Sequence, residues 1–98
     1  MVERPAWTFI TSHASVLLEV ARAPDATVRE IAERSDLTER QTHRVLADLV
    51  AGGYIERQRQ GRRNHYRINA DVAMRHPAQD GHEVGDLLRL LEPEAENN

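Results

Sequence analysis

Residues 27–49 read TVREIAERSDLTERQTHRVLADL, and the fold follows from how this stretch is punctuated. Thr27-Val28-Arg29-Glu30 has the form of a capping box. The threonine hydroxyl accepts from the third helical amide, and the glutamate reaches back to the threonine's own amide. The helix it opens runs to about Arg34, with Ile31 and Ala32 facing inward. Ser35-Asp36-Leu37 makes a tight turn whose leucine plugs the gap between helices. Thr38-Glu39-Arg40-Gln41 is a second capping box. Its helix continues to Ala51 and stops at Gly52-Gly53, where a left-handed cap needs glycine. Two short helices joined by such a turn make a helix-turn-helix.

Working outward toward the N-terminus, Phe9, Ile10, Val16, Leu17 and Val20 fall on one broad stripe, which predicts a first helix from Thr8 to Ala23. His13 shares that stripe, and Pro24 ends it. Asp25-Ala26 supplies a short turn or a minimal strand. Residues 1–7 read as a loose lead-in, with Pro5 discouraging helix before it.

Toward the C-terminus, Tyr54 to about Arg59 and about His65 to Asn69 are strand-like runs around a Gln60–Asn64 turn. Tyr66 and Ile68 alternate with His65, Arg67 and Asn69, the period-two pattern of a half-buried strand. Gly61 permits unusual turn dihedrals and Asn64 tolerates the left-handed region. A basic hairpin directly after a helix-turn-helix is a wing. Residues 71–79 hold one helical turn before Pro77. His82 to Glu92 places Val84, Leu87, Leu88 and Leu91 at i, i+3, i+4 and i+7, an amphipathic stripe ended by Pro93. The expected fold is α+β: a winged helix-turn-helix with a three-helix core, a two-stranded wing and a C-terminal helix. Residues 8–70 form the DNA-binding unit, 71–92 a C-terminal segment for dimerisation, and 93–98 a disordered tail.

The chain has 98 residues, enough for one modest core and little room for a separate ligand-sensing domain. Cysteine is absent, which excludes a disulfide framework, a thiol nucleophile and a thiolate metal site and fits a cytoplasmic protein. Apolar stretches such as Val16–Leu18 are far shorter than the roughly 20 residues of a membrane span, so neither a signal peptide nor a membrane partner is expected. The five histidines, His13, His43, His65, His76 and His82, lack metal-ligand spacing. His13 reads instead as a partly buried packing residue with one hydrogen bond. A Gly-rich phosphate loop and a serine, histidine and acid set are both missing, so the chain is not expected to be an enzyme or to carry a cofactor.

Net charge is −3, yet its distribution is uneven. Between Arg40 and Arg67 seven arginines face only Asp48 and Glu56, a local surplus of five positive charges. DNA responds to the field at the docking face rather than to the net charge. Every cation of the chain is an arginine, whose planar fork suits phosphate and guanine; a GC-rich coding sequence gives the same bias. On the third helix Thr42, Val45, Leu46 and Leu49 cluster on one side. At 100° per residue the other side is centred on Arg40, Arg44, Ala47 and Ala51, with His43 beside it. Two arginines beside a small alanine suit entry into a major groove. An ordinary solvated face has the same composition. The expected reading residues are Thr38, Arg40, Gln41, His43 and Arg44. The wing supplies Arg62 and Arg63 at its tip, with Asn64 in the turn and Arg57, Arg59 and Arg67 along the strands, for minor-groove and phosphate contacts. A charged hairpin also serves as an edge that blocks sheet aggregation.

The order of helix, TVREIAERSDLTERQTHRVLADL, GGYI and RQRQGRRNHYRI resembles the winged helix-turn-helix of small bacterial MarR- and ArsR-type regulators over roughly residues 8–70. The resemblance implies a dimer on a near-palindromic duplex site, with Arg40, His43 and Arg44 at reading positions and Arg62 and Arg63 at the wing tip. The chain departs from larger MarR proteins in lacking the long terminal helices of a deep ligand cleft, and from metal-sensing ArsR proteins in lacking their cysteine motif. No effector is assigned. A homodimer is expected through Phe9, His13, Val84, Leu87, Leu88 and Leu91, because so short an isolated helix is marginal without a partner surface; otherwise the stripe folds back onto its own domain. Trp7 and Phe9 cover the core or a subunit contact. The rival functions are a winged-helix protein-interaction module that touches no DNA, and a single-strand or RNA binder, for which the aromatic content leaves few stacking platforms.

Overall fold

Local capping decides where the helices begin. A computed structural model describes residues 7–91. Helix α1 (Ser12–Arg22) starts at Thr11, whose hydroxyl accepts from the Ala14 amide at 3.2 Å. The expected start at Thr8 is therefore four residues early. Thr8 instead donates to the Ile10 carbonyl at 2.8 Å and holds a bend. Helices α2 (Val28–Ser35) and α3 (Glu39–Ala51) both carry the reciprocal capping boxes read from the sequence, Thr27 with Glu30 and Thr38 with Gln41. Between them Asp36 takes φ 63°, a left-handed residue of a type that tolerates it. Leu37 packs against the core as expected. Helix α3 ends at Gly52, and the left-handed turn falls on Gly53 with φ 82°.

Strands β1 (Ile55–Gln60) and β2 (Arg63–Ile68) pair antiparallel, from Ile55 opposite Ile68 to Gln60 opposite Arg63. This register leaves only Gly61 and Arg62 in the turn. Positive φ falls on Gly61 alone, at 61°, the pattern of a II′ hairpin turn, which matches the strands' right-handed twist. The five-residue turn read from the sequence is thus too long. Arg63 and Asn64 are strand residues, and Asn64 opposite Arg59 needs no left-handed conformation.

After the wing, a short 3-10 turn (Pro77–Gln79) begins at Pro77 rather than before it, with His76 as its cap, because proline suits the first position of a turn whose first amide has no partner. Helix α4 (Val84–Leu91) starts two residues later than the stripe suggested, since Glu83 is held in a bridge to Ala73. Its N-terminus docks against the chain that leaves the wing: Val84 and Gly85 donate to the carbonyls of Val72 and Ala70 at 2.9 and 2.8 Å. A Cβ on Gly85 would lie 2.8 Å from that Ala70 oxygen, so this approach requires glycine. The expected end of the helix at Pro93, the lead-in over residues 1–6 and the tail 93–98 lie outside the described residues.

A single apolar cluster joins the elements. Val16, Leu17 and Val20 of α1 meet Ile31 of α2, Val45, Leu46 and Leu49 of α3, Ile55 and Tyr66 of the wing, and Val84 and Leu88 of α4. Thr42 is the one buried polar residue among those described, and its hydroxyl is satisfied by donating to the Thr38 carbonyl at 2.9 Å. The architecture is an α+β winged helix-turn-helix.

Candidate nucleic-acid interface

Burial along α3 fixes which side chains are offered outward. Thr42, Val45, Leu46 and Leu49 are buried, so Arg40, His43, Arg44 and Ala47 are turned to solvent. Among the described residues Arg40, His43 and Arg44 have no hydrogen bond or ion pair. Thr38 and Gln41 sit at the same end but are engaged in capping. The Gln41 carboxamide oxygen accepts from the Thr38 amide at 2.9 Å, and the Gln41 amide donates to the Thr38 hydroxyl at 3.0 Å. The Gln41 side-chain NH2 remains available to donate, whereas Thr38 has a structural task already.

The wing, which follows α3 directly in the chain, carries further exposed arginines. Beyond Ile55 every residue of β1 is exposed, so the hairpin stands clear of the core from Glu56 outward. Arg62 occupies the turn, exposed and with no polar partner among the described residues, and Arg57 is likewise unpaired. The other wing arginines are already engaged. Arg59 Nε donates to the Gly61 carbonyl at 3.1 Å and braces the turn. Arg67 pairs with Glu56 at 2.8 Å across the strands. Arg63 folds back toward the body and donates to the Asp25 carbonyl at 2.8 Å. The expectation of two arginines at the tip therefore reduces to Arg62, because the tighter turn carries Arg63 into the strand.

The residues expected to dimerise separate into two groups. Val84 is 5% and Leu88 7% exposed, both within the chain's own core, and Leu91 packs against it. The α4 stripe folds back on its own domain, the alternative recognised from the sequence. Phe9, by contrast, is 94% exposed and stands edge-to-face with Trp7, ring centres 5.1 Å apart. Neither aromatic covers the core. His13 is exposed rather than partly buried, and its Nε2 lies 2.8 Å from an Asp48 carboxylate oxygen, tying α1 to α3. Leu87 is half-buried and lines an open apolar groove of about 390 Å³ with Leu17, Leu49, Tyr54, Met74 and Val84. Leu90, on the outer side of α4, is 78% exposed.

One participant escaped the sequence reading. Asp25 meets both Arg63 and His65, 38 and 40 residues away, a separation at which no local pattern signals contact. Nearby, the Glu30 carboxyl is held below its ordinary range, first by the hydrogen bond from the Thr27 amide and further by the charges of Arg63 and Arg34. No group of three or more histidine, cysteine, aspartate or glutamate side chains among the described residues is placed to hold a metal ion. No described helix is long and apolar enough to cross a membrane.

The arrangement offers planar, unpaired guanidinium groups on one helix face and one hairpin turn, suited to the phosphates and base edges of a polyanion. No curated protein matches the chain in sequence. The model of the MarR family matches residues 8–63, from just before α1 to the first residue of β2. That match spans more than half of the 98 residues, and the chain belongs to the MarR family, a family of DNA-binding transcription regulators.

Proposed function

We propose that the chain binds duplex DNA sequence-specifically as a homodimer and regulates transcription by occupying a promoter site. Family membership supports the DNA-binding regulator. The observation that supports the finer reading is an exposed Arg40, His43 and Arg44 on α3 together with Arg57 and Arg62 on the wing, all without partners among the described residues. In this reading α3 enters the major groove, where an arginine chelates the two acceptors of a guanine edge and Ala47 allows close approach. Arg62 meets the minor groove or its phosphates, and Arg57 a phosphate. Residues 8–70 act as the DNA-binding unit, and residues 71–91 brace it through α4.

The dimer is supported by the apolar surface left outside the core, Trp7, Phe9 and Leu90. Two copies related by a twofold axis place their recognition helices roughly 34 Å apart, one turn of DNA. No catalytic role is assigned to any residue.

Fluorescence-anisotropy titration with a random duplex pool across salt concentrations, followed by sequencing of the bound fraction, tests the reading. Steep salt dependence with an enriched near-palindromic motif is the expected result. Binding without enrichment removes sequence specificity, and no binding at low salt removes the DNA reading in favour of a protein-interaction module.

A further inference from the structure

The wing is a two-stranded ribbon, a unit with marginal stability of its own, so its angle to the body depends on what anchors it. Its base is held by apolar packing through Ile55, Tyr66 and Ile68. That packing ends at Tyr66 on β2 and at Ile55 on β1. Beyond it, the α1–α2 loop takes over. The Tyr66 amide donates to the Pro24 carbonyl at 3.1 Å. His65 Nδ1 lies 2.6 Å from an Asp25 carboxylate oxygen, and Arg63 Nη1 donates to the Asp25 carbonyl at 2.8 Å. His65 and Arg63 lie one and three positions closer to the tip than Tyr66, so the loop grips the ribbon where the core no longer reaches it. On the opposite strand Gln58 and Gln60, the partners of His65 and Arg63, are exposed.

We propose that Asp25 is a positioning residue for the nucleic-acid interface: with Pro24 it clamps β2 to the α1–α2 loop and so sets the angle at which Arg62 is presented beside α3. The proposal rests on the DNA-binding reading for its consequence but not for the clamp itself. Loss of the carboxylate frees His65 and leaves Arg63 and the Tyr66 amide to hold the ribbon alone. The tip then samples more orientations, and DNA binding must re-order it. Asparagine keeps a neutral oxygen in the same place and retains most of the grip; alanine does not.

The test has one arm without DNA and one with it. In the free protein, amide hydrogen exchange at His65, Tyr66 and Arg67 is expected to quicken about five- to tenfold in Asp25→Ala, the scale of one partly exposed hydrogen bond, and to stay near wild type in Asp25→Asn. Exchange at Val20 and Leu46 in the core stays unchanged. In the DNA arm, Asp25→Ala and His65→Ala each raise Kd about three- to tenfold, the double variant is no worse than either alone, and Asp25→Asn restores affinity. An unchanged Tyr66 exchange rate, a rise spread equally over core amides, or additive losses in the double variant overturns the clamp. A chain that binds no DNA yet shows wing-confined exchange in Asp25→Ala keeps the clamp and removes only the DNA reading.

Discussion

Replacing Arg44 and Arg67 in turn by alanine separates arginines that are free to bind from arginines that already hold the wing. Arg44 is exposed and has no intramolecular partner among the described residues, so docking on a base edge breaks nothing within the protein. A bidentate arginine–guanine contact discriminates by about 1–3 kcal/mol. At about 1.4 kcal/mol per tenfold, Arg44→Ala therefore weakens binding to the preferred duplex roughly 5- to 150-fold and narrows the preference over random DNA by a similar factor. Arg67 starts from a different state, paired with Glu56 at 2.8 Å with both side chains about half exposed or more. Such a pair is worth about 0.2–1 kcal/mol, and recruiting Arg67 to a phosphate would leave the Glu56 charge facing the same backbone. The gain and the loss nearly cancel, so Arg67→Ala is expected to change Kd by less than about threefold. The assay is anisotropy on an enriched duplex and a scrambled one at several salt concentrations, with Arg62→Ala as the reference for a phosphate contact. That variant should weaken both duplexes alike and lower the salt slope by about one. An Arg67→Ala loss as large as that of Arg44→Ala, or an Arg44→Ala loss equal on both duplexes, refutes the division.

Four further outcomes are expected. Leu88→Ala empties a core site and should cost about 2–5 kcal/mol of unfolding free energy, independent of protein concentration; a concentration-dependent loss would place Leu88 at a subunit contact instead. Ser35 Oγ is buried with no hydrogen-bond partner among the described residues, so Ser35→Ala should stabilise by about 1 kcal/mol and raise Tm roughly 4–8 °C in calorimetry; a lower Tm would mean the hydroxyl has a partner. Because the folded Glu30 carboxyl is held below 4.5, its capping contribution is full above that value and disappears as pH falls through the lower folded pKa. Urea midpoints of wild type and Glu30→Gln should therefore converge in acid, and a constant gap at all pH values would contradict the linkage. Phe9→Ser should leave Tm unchanged while shifting sedimentation at micromolar concentrations toward monomer; an unshifted profile would remove Phe9 from the subunit contact.

The helix-turn-helix was legible because its punctuation is local. Thr27 and Thr38 each find their partner three residues on, and the buried face of α3 obeys a single periodicity. The wing turn was misread because Gly61 and Asn64 both suit a turn, while the true turn is chosen by cross-strand register, with Gly61 alone in it needing positive φ. The start of α1 was placed early because Phe9 and Ile10 extend the apolar stripe, yet Thr11 is a better cap than Thr8 when only the latter's hydroxyl is drawn to a nearby carbonyl. The fate of the α4 stripe could not be read at all from spacing. A stripe at i, i+3, i+4 and i+7 demands an apolar partner without naming one, and Gly85, which lets the helix settle on Ala70, has no signature until the fold brings the two together.

Charge counting alone also misjudges this interface, for a reason the hydrogen bonds make plain. Seven arginines between Arg40 and Arg67, against Asp48 and Glu56, gave a local surplus of five positive charges. Three of them, Arg59, Arg63 and Arg67, hold the hairpin: one braces the turn, one reaches the α1–α2 loop and one crosses the strands. The four without partners among the described residues, Arg40, Arg44, Arg57 and Arg62, lie on the exposed face of α3 and on the wing. An arginine that holds structure and one that binds a ligand are identical in sequence and opposite in energetics, since the first must give up a bond to act as the second. In a chain of net charge −3 this division matters more than the total. In the proposed reading the four without partners meet DNA without first breaking a contact, so each contributes its full attraction to the polyanion, while the engaged three contribute to it only by giving up a bond that holds the hairpin.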